Sequence, residues 1–343
     1  MIESVPQLVL DLLNGKRAAT IPCFSGLSSV IAPALAARGL VFAQIHRDPR
    51  QMVTAAASAF ELYGWQSATL PTDLCVEAEA LGAQVDFRED MPEPMWPLVA
   101  VPLFESPDEV TVAPGDITQR GRIPLVVEAL RALDRRLRDQ CPVGAFVPGP
   151  FTLAMQVANY AALLPAVRHS PAVVAHALDA LTDMLVSVAQ GYVQAGASFI
   201  TIHEMGGSPG VVGPRVFGEL ILPRLQRLIA ALPAPTILSV CGRTDQAIAL
   251  LAAVGANALN VDQTNDLAHS RAVLGKDALL FGNLDPVHLI AGGTPESIRA
   301  AVQAAAAAGA DAIMPGCDLY LQTPAENLRA LVVAAADLRR PGE

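Results

Sequence analysis

Short apolar runs alternate with helical stretches along most of the chain, and this alternation limits the possible folds more than any other feature. Strands that alternate with helices in this way are typical of a parallel sheet with crossover helices. Eight runs are predicted as strands: residues 20–24, 66–71, 143–147, 198–203, 236–240, 258–261, 278–281 and 312–315. Eight strand–helix units predict an α/β fold, a single-domain (β/α)8 TIM barrel over residues 1–343, with active-site groups at the carboxyl ends of the strands.

Residues 85–140 do not fit one strand–helix unit. The segment contains several prolines close together between Met91 and Pro97, followed by a predicted helix around residues 124–138. Long connections of this kind in compact domains are often lids or binding loops. We therefore predict an insertion after the second strand that forms a rim or lid.

Charge and composition limit the partners and the compartment. The chain carries a net charge of −10 and no basic run longer than pairs such as Arg135-Arg136, which disfavours a nucleic-acid partner. Its most apolar windows, 172–193 and 250–261, are interrupted by Asp or Gln or are too short, so no membrane span is predicted. Five scattered cysteines and the lack of a signal-peptide pattern at the start favour a reducing, cytoplasmic location.

Polar residues follow the predicted strands in an otherwise apolar chain, as expected of a site at the mouth of a barrel. Asp73 and Asp262 follow the second and sixth strands, although Asp after a strand is also a common helix cap. Asn283 follows the seventh strand, and His203 and Glu204 end the fourth. We select as candidate catalytic residues Asp73, Glu204, Asp262 and Asn283.

Two cysteines, Cys241 and Cys317, each follow a buried strand and lie 76 residues apart in sequence. Their sulfurs can converge only if the sheet closes or folds back, and a soft divalent metal such as zinc is the commonest reason to bring thiolates together. The alternative is that both are small apolar core residues. Of the neighbouring residues His203 and Glu204, which point in opposite directions along a strand, we favour Glu204 as the one that faces the barrel axis.

Several segments together resemble the uroporphyrinogen decarboxylase superfamily, and most closely its methylcobamide:coenzyme M methyltransferase branch. They are Leu13-Asn14-Gly15-Lys16, residues 75–83, the turn Pro148-Gly149-Pro150-Phe151-Thr152-Leu153-Ala154, Gly282-Asn283-Leu284-Asp285-Pro286, Gly293-Thr294-Pro295-Glu296 and Pro315-Gly316-Cys317. The resemblance implies a (β/α)8 barrel whose Zn²⁺ binds a thiol substrate as thiolate. It also implies that a corrinoid on a separate protein supplies the methyl group. We assign Pro148, Gly149 and Ser208 to cofactor contact.

One position departs from the family's pattern. The family has a histidine two residues before the first zinc-binding cysteine, and here that position is Ser239, whose hydroxyl is a poor zinc ligand. The metal ligands would then be Cys241, Cys317 and either Glu204 or His203. Since the chain has no Asp-x-His-x-x-Gly corrinoid motif, the resemblance implies that the corrinoid arrives on a small partner protein, with a small molecule as methyl acceptor or donor.

Two other functions remain open. A decarboxylase would use Asp73, which lies in Pro71-Thr72-Asp73-Leu74, to contact pyrrole nitrogens. That branch also has an arginine-rich N-terminal segment for the substrate's carboxylates, whereas residues 21–27 contain no arginine. The other possibility is a non-catalytic relative that binds a corrinoid protein or a ligand without turnover.

Overall fold

The computed structural model describes residues 5–113 and 115–338. Its centre is one parallel sheet of seven strands in the order β1-β4-β5-β6-β7-β8-β9, in which every neighbouring pair is parallel. The strands are β1 (Ala68–Leu70), β4 (Val143–Pro148), β5 (Phe199–Glu204), β6 (Thr236–Val240), β7 (Ala258–Val261), β8 (Leu279–Leu284) and β9 (Ala312–Pro315). Nearly all of their residues are buried, as expected of a parallel sheet covered on both faces. Seven of the eight predicted strands are therefore confirmed.

The first predicted strand, residues 20–24, is not a strand in the structure. Only Cys23 pairs, in an isolated parallel bridge with Ile313 of β9, and its carbonyl accepts a hydrogen bond from the backbone N–H of Gln66 just before β1. The segment thus lies between the two edges of the sheet without forming a full ladder. Two backbone donors are not available for a ladder: Pro22 has no N–H to donate, and the Cys23 N–H binds the Gln66 side chain.

Within the described residues, fifteen α-helices connect and cover the strands. They are α1 (Val5–Leu13), α2 (Ala32–Ala37), α3 (Pro49–Tyr63), α4 (Val76–Leu81), α5 (Ile123–Leu137), α6 (Pro150–Val157), α7 (Tyr160–His169), α8 (Pro171–Gln194), α9 (Pro209–Val212), α10 (Pro214–Val216), α11 (Leu222–Ala230), α12 (Ile248–Ala252), α13 (Leu267–Leu274), α14 (Pro295–Ala307) and α15 (Ala325–Ala336). Many begin with proline in the first turn, and Asp48 and Thr294 cap α3 and α14 with their side chains.

The segment 85–140 contains two different parts. Its first part holds the short antiparallel pair β2 (Val85–Asp86) and β3 (Leu98–Val99) and two 3-10 turns, Pro107–Glu109 and Ile117–Gln119. Its second part is α5, whose buried face packs into the main core beside the strands. α5 is therefore the helix that precedes β4, and only the residues before it extend beyond a regular strand–helix unit.

The inner face of the sheet changes from apolar to polar along the strands. A separate apolar cluster fills its amino end, formed with α1: Val9, Leu12, Leu13, Phe24, Phe199, Ile237, Ala258, Leu279, Phe281, Ala312 and Met314. Because strand side chains alternate, the next inner positions on β5, β6 and β7 are Thr201, Ser239 and Asn260, all polar and buried. The carboxyl ends of the strands therefore carry the polar side chains of the inner face.

Among the described residues, one helix, α8, is long and apolar enough to cross a membrane by length and composition. Asp and Gln interrupt this stretch, so the sequence predicts no span here. Half of its most apolar window is buried in the structure, and the core helix of a soluble protein passes the same test. The helix is thus weak evidence for a span, and the expected absence of a membrane partner stays a prediction.

Candidate metal centre

Three potential metal ligands converge at the carboxyl ends of β5, β6 and β9. The Sγ atoms of Cys241 and Cys317 lie 2.9 Å apart, and Nε2 of His203 lies 3.9 Å from each of them. The three side chains form a group whose ligand atoms all lie within 4.8 Å of one another. The prediction that the two cysteine sulfurs meet is confirmed.

The strand geometry decides which residue of β5 faces the cysteines. His203 pairs in register with Ser239, and Glu204 pairs with Val240, so the ladder stays regular to the end of β5. Alternation then places His203 on the same face as Thr201, and Glu204 on the opposite face. The prediction that Glu204 faces inward is therefore wrong, and His203 is the residue that approaches the two sulfurs.

The charges and hydrogen bonds of the three groups favour ionisation of one cysteine and oppose ionisation of the second. A hydrogen bond from Cys241 lowers the pKa of the Cys317 thiol, and His203 adds to this effect. The resulting negative sulfur, together with burial, raises the pKa of Cys241 well above its ordinary value. Burial opposes protonation of His203, but Cys317 and Asp318 outweigh it and raise the pKa of the imidazole. A bound dication is the group that would let both thiols ionise.

The donor set fits zinc. Sulfur and imidazole nitrogen are its usual ligands, and in a tetrahedral site with bonds of about 2.0–2.3 Å the ligand atoms lie roughly 3.5–3.8 Å apart. The two sulfur–nitrogen separations of 3.9 Å match this spacing, while the sulfurs at 2.9 Å would have to separate slightly. Two cysteines and one histidine also leave a fourth position open, as catalytic zinc sites do.

Glu204 has a different set of partners. Its carboxylate accepts hydrogen bonds from the backbone N–H groups of Phe151, Thr152 and Gly207 and from the Thr152 hydroxyl. Burial raises the pKa of Glu204, and these hydrogen bonds counteract part of the rise. The carboxylate thus holds the first turn of α6 against the end of β5.

We expect Glu204→Ala to destabilise the fold strongly and Glu204→Gln to do so less. Alanine leaves three buried N–H groups without an acceptor, which costs on the order of 3 kcal/mol or more, whereas glutamine keeps one acceptor oxygen. Urea unfolding checks the free energies. Zinc content of the Gln variant is the control, and its loss from a protein of near-native stability would make Glu204 a ligand instead.

The turn at Pro148 and Gly149 supports the same contact. Pro148 is a buried residue at the end of β4, and a Cβ at position 149 would collide with the Glu204 carboxylate. The position therefore requires glycine because the acid packs directly on the backbone. Ser208 differs, since its buried hydroxyl has no hydrogen-bond partner among the described residues.

Asp262 and Asn283 hold the loops that follow β6 and β7. The Asp262 carboxylate accepts hydrogen bonds from the backbone N–H of Gly242, at 2.9 Å, and from Thr264. The Asn283 side chain donates to the carbonyl groups of Asp262 and Asn265. Asp262 thereby fixes the loop that carries Cys241, and Asn283 fixes the loop that follows β7.

Asp73 belongs to a buried ionic network. Its carboxylate binds Arg122 at 2.7 and 3.1 Å, and His46 lies 3.0 Å away. Burial alone would raise the pKa of Asp73, but His46 and Arg122 outweigh it and hold the pKa well below the ordinary range. Asp73 is therefore an ionised, fully paired carboxylate, and it also accepts the backbone N–H of Cys75 in the manner of a cap.

A cavity of about 580 Å³ lies beside the potential metal ligands. Its wall includes Asp73, Trp96, Met155, Met205 and Asp318. The Asp318 carboxylate lies 3.9 Å from Nε2 of His203, and burial together with Cys317 raises its pKa to about 7. Sequence reasoning missed Asp318, although its position directly after Cys317 could have indicated it.

Comparisons with known proteins show which family the chain resembles. The sequence profile described as uroporphyrinogen decarboxylase (URO-D) matches residues 5–338. A methylcobamide:CoM methyltransferase of Methanosarcina barkeri is 29% identical over 327 residues, which cover 95% of this chain and 96% of that protein. A uroporphyrinogen decarboxylase of Myxococcus xanthus is 27% identical over 262 residues, which cover 73% of this chain and 72% of that protein.

A solved structure described as a methyltransferase from Methanosarcina mazei is also similar. It has a TM-score of 0.91 and 27% sequence identity, and the match covers 97% of this chain and 98% of that chain. The two methyltransferases therefore match nearly the full length, whereas the decarboxylase matches about three quarters. The resemblance seen in the sequence is confirmed, and the chain belongs to the uroporphyrinogen decarboxylase family.

Proposed function

We propose that this protein transfers a methyl group between a corrinoid carried by a partner protein and a small thiol, at a zinc ion held by His203, Cys241 and Cys317. The observation that carries the proposal is the convergence of these three side chains at the carboxyl ends of the strands. The similarity to methylcobamide:CoM methyltransferases over nearly the whole chain supports the reaction class.

The reaction needs a thiolate at neutral pH. A thiol with a pKa near 8.5 is mostly protonated there, and zinc supplies the charge that keeps a bound thiol ionised. The thiolate's electron pair forms the sulfur–carbon bond, the cobalt–carbon bond breaks with its pair left on cobalt, and the thiol proton leaves to solvent. The three ligands of this chain leave room for one substrate sulfur.

His203 is proposed to replace the histidine that the family pattern places at position 239. The two positions are paired in register on neighbouring strands, so an imidazole on either can reach the same region. The Ser239 hydroxyl already has a hydrogen-bond partner, because it accepts from the Asn260 amide at 3.2 Å. The ligand set is then still one imidazole and two thiolates, supplied by three strands.

The remaining predicted residues receive supporting roles in the proposal. Glu204, with Gly149 and Pro148, fixes the start of α6. Asp262 fixes the loop of Cys241, and Asn283 fixes the loop after β7. Ser208 is kept as a contact for the bound molecules because its hydroxyl lacks a partner among the described residues. We assign the whole chain to one domain. Residues 91–103, which include the exposed Met95 and Val101, form the rim on which the corrinoid protein docks.

The test uses the purified zinc-loaded protein. It is incubated with methylcob(III)alamin and a panel of thiols, and then with cob(I)alamin and methyl thioethers, while the visible spectrum reports the cobalt state. Turnover in either direction supports the proposal. Zinc-loaded protein that turns over in neither direction, with free cobalamin or with a corrinoid protein, would favour a binding protein without catalysis.

A further inference from the structure

We infer that the small-molecule substrate of this site is an uncharged thiol, or its methyl thioether, with a bulky apolar body. The inference rests on the proposed function and specifies its substrate class. It excludes short thiols that carry a sulfonate, a carboxylate or an ammonium group. It follows from the cavity beside the proposed metal ligands.

The cavity is placed to hold the body of a molecule whose sulfur lies at the metal centre. Met205 follows His203 by two residues, and Asp318 follows Cys317 directly; both line the cavity. Asp318 also approaches His203 to 3.9 Å. One end of the cavity is therefore at the metal ligands, and its volume of about 580 Å³ is within the range of small-ligand sites.

The wall of the cavity is mostly apolar. Trp96 and Phe146 supply aromatic surface, and Met155 and Met205 supply thioether side chains that adapt to irregular shapes. Leu98 and Val99 of β3 add aliphatic surface. Such a wall binds a ligand that buries an aromatic or branched aliphatic group more favourably than it binds a compact polar ligand.

The charges around the cavity disfavour an anion. The described residues that line it include no lysine, arginine or histidine, and its ionisable carboxylates are Asp73 and Asp318. The nearest cation along the network, Arg122, already binds Asp73, Glu79 and the carbonyl oxygen of His46. A sulfonate or carboxylate in the cavity would be buried against described wall residues that offer no free cation to pair with it, which is costly.

A cation is disfavoured for a different reason. Asp73 is paired with Arg122 and His46. Its negative charge is therefore already compensated and does not attract an ammonium group. Asp318 lies at the metal end, 3.9 Å from His203, where the sulfur of the substrate is expected. An ammonium group deeper in the cavity would therefore lie against Trp96 and the methionines without a carboxylate partner.

Binding of matched thioethers tests the inference without depending on turnover. Phenethyl methyl sulfide, 2-(methylthio)ethanesulfonate and 2-(methylthio)ethylamine are titrated by calorimetry into zinc-loaded and zinc-depleted protein. We expect the neutral compound to bind at least about tenfold more tightly than either charged one in both forms. Equal or tighter binding of a charged compound, or binding of none, would overturn the inference.

A charge placed on the wall provides the matched variant. Leu98 is 36% exposed, so Leu98→Lys is expected to fold, to weaken the neutral compound and to strengthen the sulfonate. Val333→Lys, at 56% exposure away from the cavity wall, is the control and should change neither.

If charged thiols alone are methylated in the cobalamin assay, the inference fails while the proposed function stands. If the neutral compound binds as expected but zinc and turnover are absent, the cavity assignment stands and the proposed function fails.

Discussion

Protein carrying Cys317→Ala is expected to retain almost no zinc. The variant leaves one thiolate and one imidazole where the native chain offers three donors within 4.8 Å of one another. Two donors do not complete a structural or catalytic zinc site, for which three protein ligands are the usual minimum. Elemental analysis of protein purified without chelator should therefore fall from about one zinc per chain to near zero, with no recovery on reconstitution.

A matched cysteine makes the experiment specific. Cys141 is also a free, buried cysteine, but it contacts the main apolar core and not the metal ligands. Cys141→Ala should keep its zinc while losing some stability through the cavity it leaves. Equal zinc content in the Cys317 variant and the native protein would show that the two sulfurs meet for another reason.

Much of the fold followed from the sequence because the strands are buried on both faces. Such strands are continuous apolar runs bounded by polar or glycine residues, and seven of the eight predicted runs pair in the expected order. The run at residues 20–24 has the same composition, yet it forms only one bridge. Two of its backbone donors are missing from the ladder, since Pro22 has no N–H and the Cys23 N–H binds the side chain of the distant Gln66.

The proposed metal ligands were partly predictable. Cys241 and Cys317 could be found because each follows a buried strand. The choice between His203 and Glu204 depended on where the alternation of β5 starts and whether it continues to the strand's end. The structure shows that it does continue, since Glu204 still pairs with Val240. Phe199, which belongs to the inner apolar cluster, sets the phase and puts His203 inward.

The cavity could not be predicted. Its wall combines residues from the β2–β3 segment, α6, the end of β5 and the loop after β9, which are far apart in sequence. Their meeting depends on how residues 91–103 fold back over the strand ends, and proline-rich segments without periodicity give no signal of that path. The inferred substrate class thus depends on tertiary structure, whereas the proposed metal ligands follow from the strand pattern.

Removal of the imidazole is expected to weaken zinc binding, and a second substitution should restore it. His203→Ala takes away one of three ligands, so affinity should fall by more than the roughly 10–100-fold that loss of an outer-shell partner costs. Adding Ser239→His to that variant places an imidazole on the paired position of β6, in space that His203 has vacated. Competition with a chromophoric zinc chelator measures both affinities, and the exposed His288→Ala variant is the control.

The single variant Ser239→His and the double variant are expected to differ in zinc affinity. Ser239→His alone puts a second buried imidazole beside His203 and removes the hydroxyl that Asn260 binds, so it should destabilise the fold without raising zinc affinity. The double variant should instead return to within about tenfold of the native affinity, because its ligands are again one imidazole and two thiolates. Native affinity in His203→Ala would remove His203 from the ligand set and point to Asp318, the next acid beside the sulfurs. Loss without rescue would leave His203 as a ligand but show that the two strand positions are not equivalent.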